Sequence, residues 1–471
     1  MYINAVKNYI QRMSLYPPAA PVLLTRHKAG SFLELWTIAW PLMLASFSGC
    51  LMAFIDRTIL AQYSSEAFVA CAAAQPWYWT VSGVLMAFLS ITEIFIGRYN
   101  GAKDFLKMGP LIWQMIIVAF ACEFIVIPIA LLSHHLLASN VEPFANPYLQ
   151  IVLLSCPFEL AGFGAIGAFF VGRGETKLIP VVLVFINVVN LILDILLVFG
   201  HFGFPNLGIR GAAFATLISQ MLGFIIFLIL FLRKKYRKKY AVYRFQWSWP
   251  LLKNFFHISL PYAMAHFCVM AGWSIAYQFL AIKLTYTHFM AYSVSFTLYT
   301  LVFFVMDGLG KGVGVVCSNF IGAQQRHLLG KVLKQSFRWN GIFSCLFLII
   351  LLGFSDSMIR FFVDAELYGQ VDFSRQVYLF LTWLWLLFGL DTAWLSMQNF
   401  LIALTKTKTV LLINVICFWS IVLIPTYFWV GQLGYNSVLY LQLIGLDLII
   451  RIVIFYFWYR RRTWVKVPIV K

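Results

Sequence analysis

The chain has 471 residues, of which 62% are hydrophobic and 11% charged, where soluble domains run at about 45–50% and about 25%. That balance excludes an ordinary soluble enzyme and makes a bilayer the solvent for most of the protein. The formal charge of +18 would suit nucleic acid, but the basic residues gather in short segments between apolar runs, a membrane pattern that argues against a nucleic-acid partner.

Residues 1–32 are polar, carry Pro17, Pro18 and Pro21, lack the layout of a cleaved signal peptide and read as a cytoplasmic tail. Apolar runs long enough to cross a bilayer follow near residues 33–55, 67–97, 111–133, 148–171, 179–200 and 209–232. A basic linker, 233–250, contains Arg233, Lys234, Lys235, Arg237, Lys238 and Lys239 and suits anionic headgroups. Further apolar runs lie near 251–282, 288–318, 336–354, 376–404, 409–430 and 437–459, before a basic tail at 461–471. Apart from Lys311 and Arg451 inside spans, only Arg57, Arg210, Lys283, Arg360 and Arg375 fall on the side away from the termini. That asymmetry places both termini in the cytoplasm.

A gapless shift of 221 residues lays Tyr78, Gly101, Ala102, Gly109 and Gln114 on Tyr299, Gly322, Ala323, Gly330 and Gln335. Gly174-Glu175-Thr176-Lys177 after helix 4 has a parallel in Thr405-Lys406-Thr407-Lys408 after helix 10. The expected fold is therefore an all-α integral membrane protein, with twelve transmembrane helices in two pseudo-symmetric six-helix lobes. The N-lobe would span 33–232 and the C-lobe 251–460, with substrate held between them. Eight Cys, all in apolar spans without CxxC spacing, read as core hydrophobes. Pro41 is the proline singled out as a hinge, because it shares helix 1 with a buried acid.

An ionisable group inside a span needs a partner, a proton or a purpose. Asp307 and Lys311, like Asp447 and Arg451, are four residues apart, which puts each pair on one helix face. Glu93, Glu123 and Glu159 fit an interface or the other lobe equally well. On helix 5, Asn187, Asn190 and Asp194 form a polar stripe that must face protein or water. Their oxygens suit Na⁺ or a proton, and a packing cluster is the competing reading. Asp56, near the outer end of helix 1, reads as a second cation ligand or as a capping acid. Asp391 in helix 10 has no basic residue one turn away. The aromatic surplus suits flat organic cations, and His266 reads as a packing residue.

At these residues the chain resembles the multidrug and toxic compound extrusion (MATE) family. Trp40-Pro41, then Phe54-Ile55-Asp56-Arg57-Thr58, then the Ala-rich stretch from Ala67 to Ala74 is similar to that family's opening pattern. Arg98-Tyr99-Asn100-Gly101-Ala102 and Asn319-Phe320-Ile321-Gly322-Ala323 match its helix 2 and helix 8 endings. Gly172-Arg173-Gly174-Glu175-Thr176-Lys177, Asn190-Leu191-Ile192-Leu193-Asp194, Phe199-Gly200 and the run from Leu207 to Thr216 resemble the DinF-like branch. The resemblance implies efflux driven by inward Na⁺ or H⁺, with an N-lobe cation site on Asp56, Asn190, Asp194 and Thr216. A second-lobe site of other branches pairs a helix 7 Glu with a helix 10 Asp. Asp391 fits the latter, yet the stretch from His266 to Met270 holds no acid. Arg57 also departs from the pattern and would hold Asp56 ionised or narrow an outer mouth.

The resulting expectation is an antiporter that exports small organic cations or drugs from a bacterial plasma membrane, working as a monomer among membrane lipids. It would need no cofactor beyond its coupling ion. Asp56 and Asp194 would load that ion from a hydrated chamber, Asn190 would add a neutral oxygen, Asn187 would support them, and helix 1 would bend near Pro41. The alternatives are a flippase for lipid-linked sugars and a non-transporting membrane sensor or enzyme. No HExxH, GxSxG, Walker or paired-His pattern supports the latter.

Overall fold

The computed structural model describes residues 24–137, 142–362, 371–432 and 438–461. Most of the expected N-terminal tail, and all of the C-terminal tail beyond Arg461, lie outside these residues. Among the described residues, twelve helices are long and apolar enough to cross a membrane. They are α1 (Phe32–Tyr63), α2 (Ser65–Gly101), α3 (Phe105–Leu131), α4 (Pro143–Gly172), α5 (Leu178–Phe199) and α6 (Ile209–Phe231). After the linker come α7 (Trp249–Leu280), α8 (His288–Gly322), α9 (Arg326–Phe354), α10 (Phe373–Ala403), α11 (Thr407–Trp429) and α12 (Val438–Arg460).

Two boundaries differ most from the hydropathy reading. The helix α1 does not stop at residue 55 but runs on to Tyr63, because Asp56 is buried against neighbouring helices and does not meet an interface. Asp56 is therefore an interior residue of the helix, which corrects its reading as a capping acid. The helix α9 starts ten residues earlier than expected, as Lys331, Lys334 and Arg338 line an exposed face while Val332, Leu333 and Ser336 face inward. Helix starts follow capping chemistry: Ser31 Oγ accepts from Glu34 N at 3.2 Å while Glu34 Oε2 accepts from Gly30 N at 2.6 Å. The single residue Ser64 ends α1 and caps α2, accepting from Ala67 N at 3.1 Å. The helix α4 contains a π segment, Leu160–Gly167, and α11 another, Phe418–Leu423.

In the first set, α5 packs on α6 and α1, and α2 on α4. In the second, α10 packs on α8 and α12, and α7 on α11. The sets meet where α1 and α2 lie against α7 and α8. The tightest point is the crossing of α2 and α8 on the side of the termini. A Cβ on Gly101 would strike the backbone of Asn319 and Ala323, and a Cβ on Gly322 would strike that of Arg98. These glycines, matched by the 221-residue shift, thus each pack on the other's helix across the pseudo-symmetric interface.

The reciprocity extends to polar contacts. Arg98 Nη2 donates to Ala403 O at 2.7 Å, reaching the end of α10 from α2. Its repeat counterpart Asn319 donates from Nδ2 to Gly172 O at 2.8 Å, reaching the end of α4 from α8. Asn100 Nδ2 adds a bond to Asn319 Oδ1 at 2.8 Å. Each half thereby satisfies a C-terminal helix carbonyl of the other, which a buried helix end requires. The chemistry of the repeat also recurs inside the halves: Tyr78 OH donates to Glu159 Oε2 at 2.8 Å, and Tyr299 OH to Asp391 Oδ2 at 2.6 Å.

Gly322→Val should therefore overpack the crossing and cost about 1–3 kcal/mol. A thermal-unfolding midpoint lowered well below that of Gly353→Val, where a Cβ meets nothing within 4 Å, is the expected result.

Candidate cation site

The site begins with the hairpin of α5 and α6. The first of these ends at Gly200, whose φ of +73° is left-handed and suits only glycine without strain. Leu207 N then donates back to Leu197 O at 2.9 Å and starts the return strand of the hairpin. Along α6 the small residues Gly211, Ala215, Ser219 and Gly223 recur every fourth position. A Cβ on Gly211 would sit 2.5 Å from Leu197 O, and one on Gly223 2.5 Å from Ile186 Cδ1. This small-residue stripe, overlooked in the sequence reading, lets the two backbones approach closely.

That closeness turns the inner stripe of α5 (Val182, Ile186, Asn190 and Asp194) into the protein. Asp194 is 0% exposed and Asn190 1%. From α1, Asp56 reaches the same point and is within side-chain hydrogen-bonding reach of Asp194. From α6, Thr216 Oγ1 donates to Asp56 Oδ2 at 3.4 Å and also to its own helix at Ala212 O, at 3.1 Å. Tyr148 of α4 and Cys71 of α2, both buried, bond to each other and lie in the electrostatic reach of both carboxyls. Neither was anticipated. A tyrosine five residues beyond the start of α4 was the available signal.

Of the four expected ligands, Asp56, Asn190, Asp194 and Thr216 are thus brought together. The fifth residue, Asn187, is not among them: its Nδ2 donates to Ser48 O at 2.9 Å and to Ser48 Oγ at 2.8 Å, bracing α5 against α1. All four residues are buried, where the sequence reading expects a hydrated chamber. What the site holds instead is unmet bonding capacity. Asp56 Oδ1, both Asp194 oxygens and both polar atoms of Asn190 are buried without a hydrogen-bond partner. Two adjoining carboxyls in a dry setting cannot both stay charged without a counter-cation. Carboxylate, amide and hydroxyl oxygens form a hard donor set that fits Na⁺, or a proton on the pair. Among the described residues no group of three or more His, Cys, Asp or Glu could hold a transition metal.

A second polar cluster lies between the halves. Lys311 Nζ is 2.7 Å from Asp307 Oδ2, and Ser46 Oγ of α1 donates to the same oxygen at 3.0 Å. Glu93 of α2 acts electrostatically on this pair, as do Tyr262 and His266 of α7. The Asp307–Lys311 pair expected from spacing is present, but it belongs to an inter-half network and Glu93 faces the other half. Asp447 and Arg451 form a buried two-point pair at 2.9 and 2.6 Å, and Arg451 also donates to Asn414 Oδ1 at 2.9 Å.

A family model for MatE matches residues 41–196 and 263–428, more than half of the chain. The chain belongs to the MatE family. Its similarity to a probable multidrug resistance protein NorM of Thermotoga maritima is 25% identity over 339 residues, 70% of this chain and 72% of that protein. The fold is similar to a MOP superfamily transporter from Pyrococcus furiosus, with a TM-score of 0.82 at 14% identity, over 96% of this chain and 100% of the other. It is also similar to a multidrug resistance MATE family transporter in an outward-facing conformation, with a TM-score of 0.80 at 15% identity, over 93% and 98%. MatE proteins are transporters, so the enzyme and sensor readings fall away.

In the second half, the expected site residue is Asp391 of α10. Asp391 is bound by Tyr299, and its cationic neighbour Arg451 is already committed to Asp447. Arg57 makes no ion pair with Asp56 among the described residues, and its Nε is buried without a partner. Because Asn187 ties two helices outside the ligand group, Asn187→Leu should lower unfolding free energy by about 0.5–1.5 kcal/mol. Its Na⁺- or pH-dependent stabilisation should persist, whereas Asn190→Leu should erase that response in the same unfolding assay.

Proposed function

We propose that this transporter is an antiporter that exports small organic cations or drugs while Na⁺ or H⁺ moves inward through Asp56, Asn190, Asp194 and Thr216. The observation that carries the reading is the buried carboxyl pair with its unpartnered oxygens. An ion there removes the cost of two adjoining buried charges, and its departure restores it. On this reading coupling lies in the first half, the arrangement that the resemblance to the DinF-like branch implies. The side that bears the termini and basic linker is assigned to the cytoplasm of a plasma membrane.

Substrate would approach Glu93, Asp307 and Lys311, where Glu93 adds a second carboxyl beside the Asp307–Lys311 pair to receive a cation. Loading at the carboxyl pair acts on α1, which carries Asp56 and, through Ser46, touches α8. Pro41 leaves Thr37 O without its helical donor and gives α1 a place to bend. The flippase reading is not favoured: Lys311 and Arg451 already have carboxylate partners, so neither is free for a pyrophosphate. No cofactor is invoked, and a single copy suffices.

The reading is tested by reconstituting the protein in liposomes and following a fluorescent organic cation under imposed Na⁺ or pH gradients. Wild type should accumulate or expel dye only with a gradient present. Asp194→Asn should reduce that flux to the level of empty liposomes while being inserted normally. Undiminished flux from the variant would refute the assignment.

A further inference from the structure

Where α1, α5 and α6 approach the side of the termini, the fold leaves a cavity of about 800 Å³ outside the cation site. Its lining includes Arg26, Lys177, Arg233 and Lys235, with Trp40 and Tyr236. One carboxylate, Glu175, belongs to the same lining but is already engaged. Arg173 pairs with it, Tyr236 OH donates to it at 2.9 Å, and Lys235 Nζ stands 4.0 Å away. Arg26, Lys177 and Arg233 are exposed and make no ion pair among the described residues. Three uncompensated cations around one cavity call for an anion.

The chain below the cavity says what kind. From Lys177, the exposed residues of α5 step on at helical intervals through Val181, Val184, Val188 and Ile192. The same helix face therefore passes from a cationic opening into an apolar stripe directed at acyl chains. A free phosphate would use the first part only, and an acidic peptide would have no reason to meet the second. We propose that this cavity binds the phosphate headgroup of an anionic membrane lipid whose acyl chains lie along α5. Trp40, partly exposed at the rim, supplies the amphipathic ring typical of headgroup depth. The opposite face of α5 carries Asn190 and Asp194, so a bound lipid would brace the helix that forms the cation site.

The test is native mass spectrometry of the full-length protein, delipidated in detergent and titrated with dioleoylphosphatidylglycerol or dioleoylphosphatidylcholine. Wild type should retain one phosphatidylglycerol in preference to phosphatidylcholine. Arg26→Gln, Lys177→Gln and Arg233→Gln combined should weaken that preference about a hundredfold, since each surface cation contributes about 1 kcal/mol toward anionic lipid. Should the triple variant fail to fold, Lys177→Gln alone should weaken it about fivefold. Lys234→Gln with Lys238→Gln, exposed on the linker outside the cavity, should leave it intact. Three outcomes overturn the proposal: no preference in wild type, an equal loss in the linker control, or complete displacement of the lipid by inorganic phosphate at matched concentration.

Discussion

Two carboxyl groups held together in a dry, apolar interior set the terms for the rest of this molecule. Asp56 and Asp194 come from helices far apart in sequence, and each is covered by protein on every side. Such a pair needs a positive charge or a shared proton, and the first half is built to bring the pair together. The left-handed Gly200, the small-residue stripe of α6 and the Asn187–Ser48 brace all fix α5 where Asp194 meets Asp56. Without that close packing the polar stripe of α5 would have faced lipid at a cost of several kcal/mol.

The helix that completes the site also reaches the other half. From Phe32 to Asp56, α1 touches α9 through stacked Trp36 and Trp339, 4.3 Å between ring centroids, then α8 through Ser46 and Asp307, then α5 through Ser48. A change in charge at Asp56 is thus applied to a rod that bridges both halves. The interface it bridges is closed on one side by the reciprocal contacts of Arg98 and Asn319 with Ala403 and Gly172. Two stable packings across such an interface are what alternating access requires.

The sequence reading reached the helix count, and it named the four residues Asp56, Asn190, Asp194 and Thr216 that the fold buries close together. Those features rest on composition and on the high cost of polar groups in lipid, both visible one residue at a time. The rest depended on rotation and depth. A stripe with offsets of three and four could not show that Asn187 turns toward Ser48 while Asn190 and Asp194 turn inward. Charged residues at Asp56 and Lys331 looked like helix ends because hydropathy cannot distinguish a buried acid from an interfacial one, or an amphipathic first turn from a loop. Glu93 and Lys311 lie on different halves, so no local spacing could join them. The repeat was legible as matched glycines, but only the structure shows that Gly101 packs on α8 and Gly322 on α2.

The central claim is that the Asp56–Asp194 pair takes up the coupling cation. Infrared difference spectroscopy of the reconstituted protein, recorded on raising pH and on adding Na⁺, tests it most directly. The account predicts a carboxyl band that changes with one or both treatments and vanishes in both Asp194→Asn and Asp56→Asn. A spectrum indifferent to pH and Na⁺, or a responding band that survives in both variants, would contradict it.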